Sequence, residues 1–193
     1  MRLGLFGGTF DPIHNGHLAV ARAARERYQL DAVWLIPNRL PPHKEAATGA
    51  NYEERLRMVE LACAGEAGLR ASDIENQEGK SYTIQTLRRL RIQLGEDCEF
   101  FFIIGADAFA EVGLWFEVEE VFRMTEFIVV SRPGFDYPVP EGARVHRLDG
   151  LELPVSSTEV RAQLRRGERA VELPIAVQRY IEGNGLYRRA RSA

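Results

Sequence analysis

Two histidines three residues apart, His14 and His17, follow a glycine-containing run at the start of the chain, Gly7-Gly8-Thr9-Phe10-Asp11-Pro12-Ile13. Side chains at this spacing share a face across one helical turn, so both imidazoles can face one point. The glycines stand where a short apolar run, Leu3 to Phe6, stops. Glycine there lets backbone N–H groups approach a phosphate closely. A helix starting just beyond aims the positive end of its dipole at the same place. Residues of these types in this order suit a phosphate. Two other readings stand beside it: a glycine pair that only makes a tight turn, and a histidine pair that ligates a metal. The metal reading lacks a third ligand at a recognisable spacing. Asp11 and Pro12 are expected to shape the turn rather than to touch a ligand.

Further candidates recur at the ends of apolar runs. Lys44 closes Pro41-Pro42-His43-Lys44, where a proline-stiffened lysine can clamp phosphate as a point charge or simply be a solvated surface cation. Ser81-Tyr82-Thr83 stands at a helix entry, where a hydroxyl is first of all a cap. Gly105-Ala106-Asp107 ends the most apolar run. A carboxylate there can accept hydrogen bonds from ribose hydroxyls, or it can cap the next turn. Trp115 follows, and its face can stack on a cationic ring. Trp34, inside an apolar run, is expected to be core. Ser131-Arg132-Pro133-Gly134 leaves another run. In Val155-Ser156-Ser157-Thr158-Glu159-Val160-Arg161 a serine and Glu159 can form a capping box. Arg161, however, is a cation near a helix start and opposes the macrodipole, a penalty explained if an anion sits between them.

These residues need elements to hold them. Apolar runs predict strands over 3–6, 32–36, 69–74, 100–104 and 127–130, with a weaker one over 144–148. Helical spacing predicts helices over 15–28, 52–66, 82–94, 118–124, 158–166 and 175–182. Residues 38–50 and 133–142 are expected to be loops, and 75–81 a polar, mobile connection. Near-continuous apolar strands alternating with amphipathic helices imply a parallel sheet covered on both faces. Such doubly wound α/β domains bind ligands at the carboxyl ends of their strands. All the candidate motifs follow strands or open helices, so they should meet along one edge.

The chain has 193 residues, which fits a single domain over 1–193. Its net charge of −3 argues against a general nucleic-acid binder held by a basic surface. The basic stretch Arg188 to Arg191 is expected to be a solvated end. Nothing approaches a membrane span, and the N-terminus does not resemble a signal peptide. Two cysteines, Cys63 and Cys98, match no metal spacing and are expected to be free thiols in a reducing cytoplasm.

Gly-Thr-Phe-Asp-Pro followed by His-x-Gly-His resembles the signature of the HIGH-type nucleotidyltransferases, which include nicotinate-mononucleotide, phosphopantetheine and glycerol-phosphate nucleotidyltransferases. Val155 to Arg161 resembles the Ile-Ser-Ser-Thr-x-Ile-Arg element of the nicotinate-mononucleotide adenylyltransferases, with valines in place of the two isoleucines. With the Pro-Pro-His-Lys loop and Trp115, this favours the bacterial members of that family over phosphopantetheine adenylyltransferase, the nearest alternative. A non-catalytic ATP-binding module and a histidine-ligated metallohydrolase are the alternatives of other classes. The resemblance runs from Leu3 to about Arg161 and is looser at Gln85, where related sequences often carry an acid.

The resemblance implies a Rossmann-like fold with a small C-terminal helical part. It also implies AMP transfer from ATP to nicotinate mononucleotide with release of pyrophosphate. His14 and His17 would donate to the α-phosphate. Gly7, Gly8, Thr9 and Phe10 would position phosphates through amides. Lys44, with His43 sharing its role, Arg132, Ser156, Ser157, Thr158 and Arg161 would hold the triphosphate. Gly105 and Asp107 would take the ATP ribose. Thr83 and Trp115 would take the pyridine mononucleotide. Mg²⁺ would arrive with ATP, with no protein metal site. The expected partners are these small molecules, with no nucleic acid or membrane, and a homo-oligomer is left open.

Overall fold

The computed structural model describes residues 1–40, 49–77, 79–131, 136–151 and 155–188. A single sheet forms from β1 (Arg2–Gly8), β2 (Ala32–Pro37), β3 (Leu69–Ala71), β4 (Glu99–Gly105), β5 (Thr125–Ser131) and β6 (Val145–Asp149). Its order is β3-β2-β1-β4-β5-β6 and every pairing is parallel. β1 lies between β2 and β4, so the strand order reverses beside its carboxyl end, the crevice where open α/β sheets bind ligands.

The strands alternate with period two between two cores, as parallel strands covered on both faces must. Leu3 and Leu5, Trp34 and Ile36, Phe100 and Ile104, and Phe127 and Val129 enter one core. Val33 and Leu35, Phe101 and Ile103, and Ile128 enter the other. The first core is closed by α3 (Thr83–Leu94) and α5 (Val118–Met124). The second is closed by α1 (Asn15–Arg27), α2 (Tyr52–Cys63), α6 (Ser157–Arg165) and α7 (Ile175–Asn184). The doubly wound fold read from the sequence is thus the observed one.

Several boundaries differ from expectation. α2 stops at Cys63, because Ala64 leaves the helical region and Gly65 follows at φ 84°. β3 has three residues and pairs with β2 alone, at an edge. The connection before α3 was expected to be mobile, yet Glu75 within it is buried. The link after β4 holds one turn of helix, α4 (Ala106–Phe109), and a 3-10 turn, Val112–Leu114, neither of which has a periodic signal long enough to read. Trp34 is core, and both cysteines are buried and free.

Candidate active site

β1 delivers Gly7 and Gly8 to the sheet edge. A side chain at Gly8 would lie 3.0 Å from the Phe10 ring. That ring is buried and packs edge-on against Phe6 and His17. Phe10 can therefore offer a ligand only its backbone. The chain then turns into α1, with His14 as its N-cap residue and His17 in its first turn.

The His14 N–H donates to Nδ1 of His17 at 3.2 Å, and the rings stack with centroids 3.7 Å apart. Because Nδ1 of His17 accepts, its proton sits on Nε2, which is left as a donor. Burial holds His17 down to about 3, with the neighbouring His14 acting the same way. Burial also holds His14 down to about 4, opposed by the charge of Glu172. Both rings are neutral donors at neutral pH. His14 Nδ1 is buried without a partner among the described residues.

The start of α6 is seated on the turn ahead of these histidines. The Ser157 hydroxyl donates to the Pro12 carbonyl at 3.1 Å, and Arg161 Nη1 donates to the Asp11 carbonyl at 2.6 Å. Gly16 permits this approach, since a Cβ there would stand 3.0 Å from Val155 Cγ1. The capping box is present: Ser156 Oγ accepts from the Glu159 N–H, and the Glu159 carboxylate accepts from the Ser156 N–H. Arg161 Nη2 also reaches Thr158 Oγ1 at 3.3 Å. Asp11 is buried, as a shaper of the turn should be.

A cavity of about 320 Å³ opens beside the glycines, within the usual range for a small-ligand site of roughly 300–1,000 Å³. One end is Gly7, Gly8, Thr9 and Asn38. Ser81, Tyr82, Thr83 and Thr86 come from the entry of α3, and Trp115 and Phe116 from beyond β4. Trp115 stands edge-on to Phe102 with its centroid 5.6 Å away and still lines the cavity, so it is both packing and wall. Glu75 is a further wall residue. The Thr86 hydroxyl donates to its Oε1 at 2.8 Å, while Oε2 is buried without a partner among the described residues. Burial pushes the Glu75 carboxyl up, against the Ser81 and Thr86 hydroxyls.

The chain resembles known proteins over nearly its whole length. Residues 5–163 match the family model for cytidylyltransferase-like proteins. A probable nicotinate-nucleotide adenylyltransferase of Solibacter usitatus is 46% identical, covering 97% of this chain and 100% of the relative. A second, of Exiguobacterium sibiricum, is 44% identical over 97% of this chain and 99% of its own. The chain belongs to the nicotinate-nucleotide adenylyltransferase family. Family membership makes it a nucleotidyltransferase. The fold agrees: a nicotinic acid mononucleotide adenylyltransferase of Plasmodium falciparum, complexed with NaAD, superposes with a TM-score of 0.78 at 19% identity, covering 96% of this chain and 97% of the other.

Within this family member, Gly7, Gly8, Thr9, His14, His17, Ser156, Ser157, Thr158 and Arg161 come together around the 11–16 turn and the end of β1. Thr83 and Trp115 face the adjoining cavity. Gly105 and Asp107 are exposed at the end of β4 and do not line it. Lys44, His43 and Arg132 lie outside the described residues. The expected hydroxyl cap of α3 is not made. Tyr82 is the cap residue without a side-chain bond, and Ser81 Oγ instead accepts from the Arg39 and Leu40 amides, tying down the strand end after β2.

Sequence reasoning missed Glu75, Asn38 and Arg55. Arg55, on α2, is fully buried and donates to the carbonyls of Thr9 at 2.6 Å and Asn38 at 2.8 Å, bracing both strand ends. A buried arginine looks like any surface arginine in sequence. Among the described residues no three His, Cys, Asp or Glu side chains form a metal cluster. No described helix is long and apolar enough to cross a membrane.

Proposed function

We propose that this chain, acting as a single domain over residues 1–193, joins the AMP of ATP to nicotinate mononucleotide, with His17 and His14 as the donors that face the reacting phosphorus. The observation that carries this reading is the seating of the α6 start on the turn before the histidines, through Ser157 to Pro12 and Arg161 to Asp11. It sets the late hydroxyl–arginine motif against the turn that leads into the early histidine pair. The cavity beside it, with Trp115 and Thr83 in its walls, supports a flat, charged acceptor ring.

The acceptor phosphate has a second pKa of about 6, so it is largely a dianion at neutral pH and needs no general base. One of its oxygens bonds to the α-phosphorus of ATP. The bond from that phosphorus to the oxygen bridging to the β-phosphate breaks, and pyrophosphate leaves with the electron pair. The enzyme aligns two repelling anions, which can lower a barrier by roughly 7–11 kcal/mol. His17 Nε2–H and His14 donate where charge builds. Ser157, Thr158 and Arg161, with Lys44 and Arg132, take the leaving pyrophosphate, and Asp107 takes the ATP ribose.

The phosphate side offers amides, imidazoles, hydroxyls and a guanidinium, a donor set made for anions rather than for a divalent cation. Mg²⁺ would arrive held by the ATP phosphates and water, where it would neutralise triphosphate charge. The substrates are small molecules of the cytoplasm, and no nucleic acid or membrane is involved.

Incubation with ATP and Mg²⁺ plus nicotinate mononucleotide, nicotinamide mononucleotide or phosphopantetheine, scored by pyrophosphate release, tests the reading. Release is expected fastest with nicotinate mononucleotide. Silence with that acceptor overturns it.

A further inference from the structure

Tyr187, near the chain's end, reaches back across the molecule to the phosphate-side turn. Its phenol O–H donates to Oδ1 of Asp11 at 2.6 Å, and the side chain is 7% exposed. The backbone that delivers it is unusual. α7 ends at Gly185, φ 65°, and Tyr187 itself has φ 62°. A bulky residue in the left-handed region is an outlier that persists only where its surroundings hold it there.

The surroundings are specific. A Cβ on Gly49 would lie 2.6 Å from the Tyr187 ring, so the ring lies flush against that backbone. Asp11 then links three segments. Its Oδ2 accepts the Gly49 N–H at 2.8 Å, its Oδ1 accepts the Ala50 N–H at 3.1 Å, and its carbonyl accepts Arg161. Gly49 and Ala50 lead into Asn51, the N-cap of α2. Asp11 is itself buried and stands just before the histidines, so it reaches the chemistry through what it holds.

We infer that Tyr187 is a positioning residue for the triphosphate side of the reaction. Through Asp11 it sets the Gly49–Ala50 backbone ahead of α2 and the aim of Arg161, and it does not line the acceptor cavity. This rests on the adenylyl-transfer reading of the site.

The test is Tyr187→Phe, Asp11→Asn and the double variant in the full chain, each measured for melting, for KM and kcat toward both substrates, and for hydrogen exchange at the Gly49 and Ala50 amides. Tyr187→Phe should fold and should lower kcat/KM for ATP about tenfold, the size of one lost hydrogen bond to a charged group. KM for nicotinate mononucleotide should stay unchanged. The double variant should lose no more than the worse single. The two amides should exchange faster than in the wild type. A lowered melting temperature with ATP kinetics unchanged makes the tyrosine merely structural and overturns the inference. So do equal losses toward both substrates, or unaltered exchange. Wild-type protein that turns over no acceptor defeats the catalytic reading instead, while the exchange measurement still reports on the clasp.

Discussion

At His17 the direction of the hydrogen bond and the protonation state have one origin, the packing of the ring between Phe10 and His14. Packing supplies the His14 amide that occupies Nδ1, and burial keeps the ring neutral, so Nε2–H is the only donor left to offer. Removing one donor aimed at developing charge costs about 100–1,000-fold in turnover. His17→Ala should show that loss in kcat with its circular-dichroism spectrum unchanged, and a variant of near-full turnover removes the residue from the mechanism. A pH profile follows as well. The acid limb of kcat/KM reports groups of the free enzyme and free substrate. The histidines titrate at about 4 and about 3, below the acceptor phosphate at about 6. The acid limb should therefore fall near pH 6, and stay there in the residual activity of His17→Ala. The histidine pair was legible in sequence because its spacing is local. Glu75 was not, because its burial is conferred by Thr86 and the α3 entry packed around it.

α6 shows what an element adds to its residues. Its capping box fixes where the helix starts, and the start fixes where Ser157, Thr158 and Arg161 stand. Ser156→Ala removes the bond to the Glu159 amide at a cost of about 1 kcal/mol. That is a fall of roughly 2–4 °C in melting temperature for a chain of this size. Calorimetry should show this drop, and steady-state kinetics should show a raised KM for ATP at constant KM for the acceptor. If both KM values move together, the α6 start serves the whole fold rather than the triphosphate side. This element could be read in advance because a serine three residues before a glutamate is a local pattern. The turn of helix over Ala106–Phe109 could not, since four residues carry no period. Its effect is to carry the chain from β4 over to the Trp115 wall.

Over the whole molecule, the parallel sheet follows from alternating apolar runs and the two cores follow from strand period, whereas the strand order appears only in the structure. The contacts that close the site join segments far apart in sequence, Tyr187 to Asp11 and Arg55 to Thr9 and Asn38, and no window of sequence contains them. The packing around the site also buries titratable groups, and burial makes stability depend on pH. His14 and His17 have native values near 4 and 3 against 6.5 when unfolded. Below pH 6.5 the unfolded chain takes up protons that the native state refuses, so stability present above 6.5 is lost as pH falls toward 4. Glu75 acts with the opposite sign. Its native value is raised, so its contribution is whole below about 4.3, the unfolded carboxyl value, and is lost as pH rises through the native one. Two substitutions separate these effects in melting curves taken from pH 4 to 8. His17→Asn should flatten the fall between 6.5 and 4. Glu75→Gln keeps an acceptor for Thr86 without the charge, so it should match the wild type at pH 4 and melt above it at pH 7. A Glu75→Gln advantage that is largest at pH 4 means that the Glu75 burial is not felt as proton linkage, and a His17→Asn curve as steep as the wild type means the same for His17.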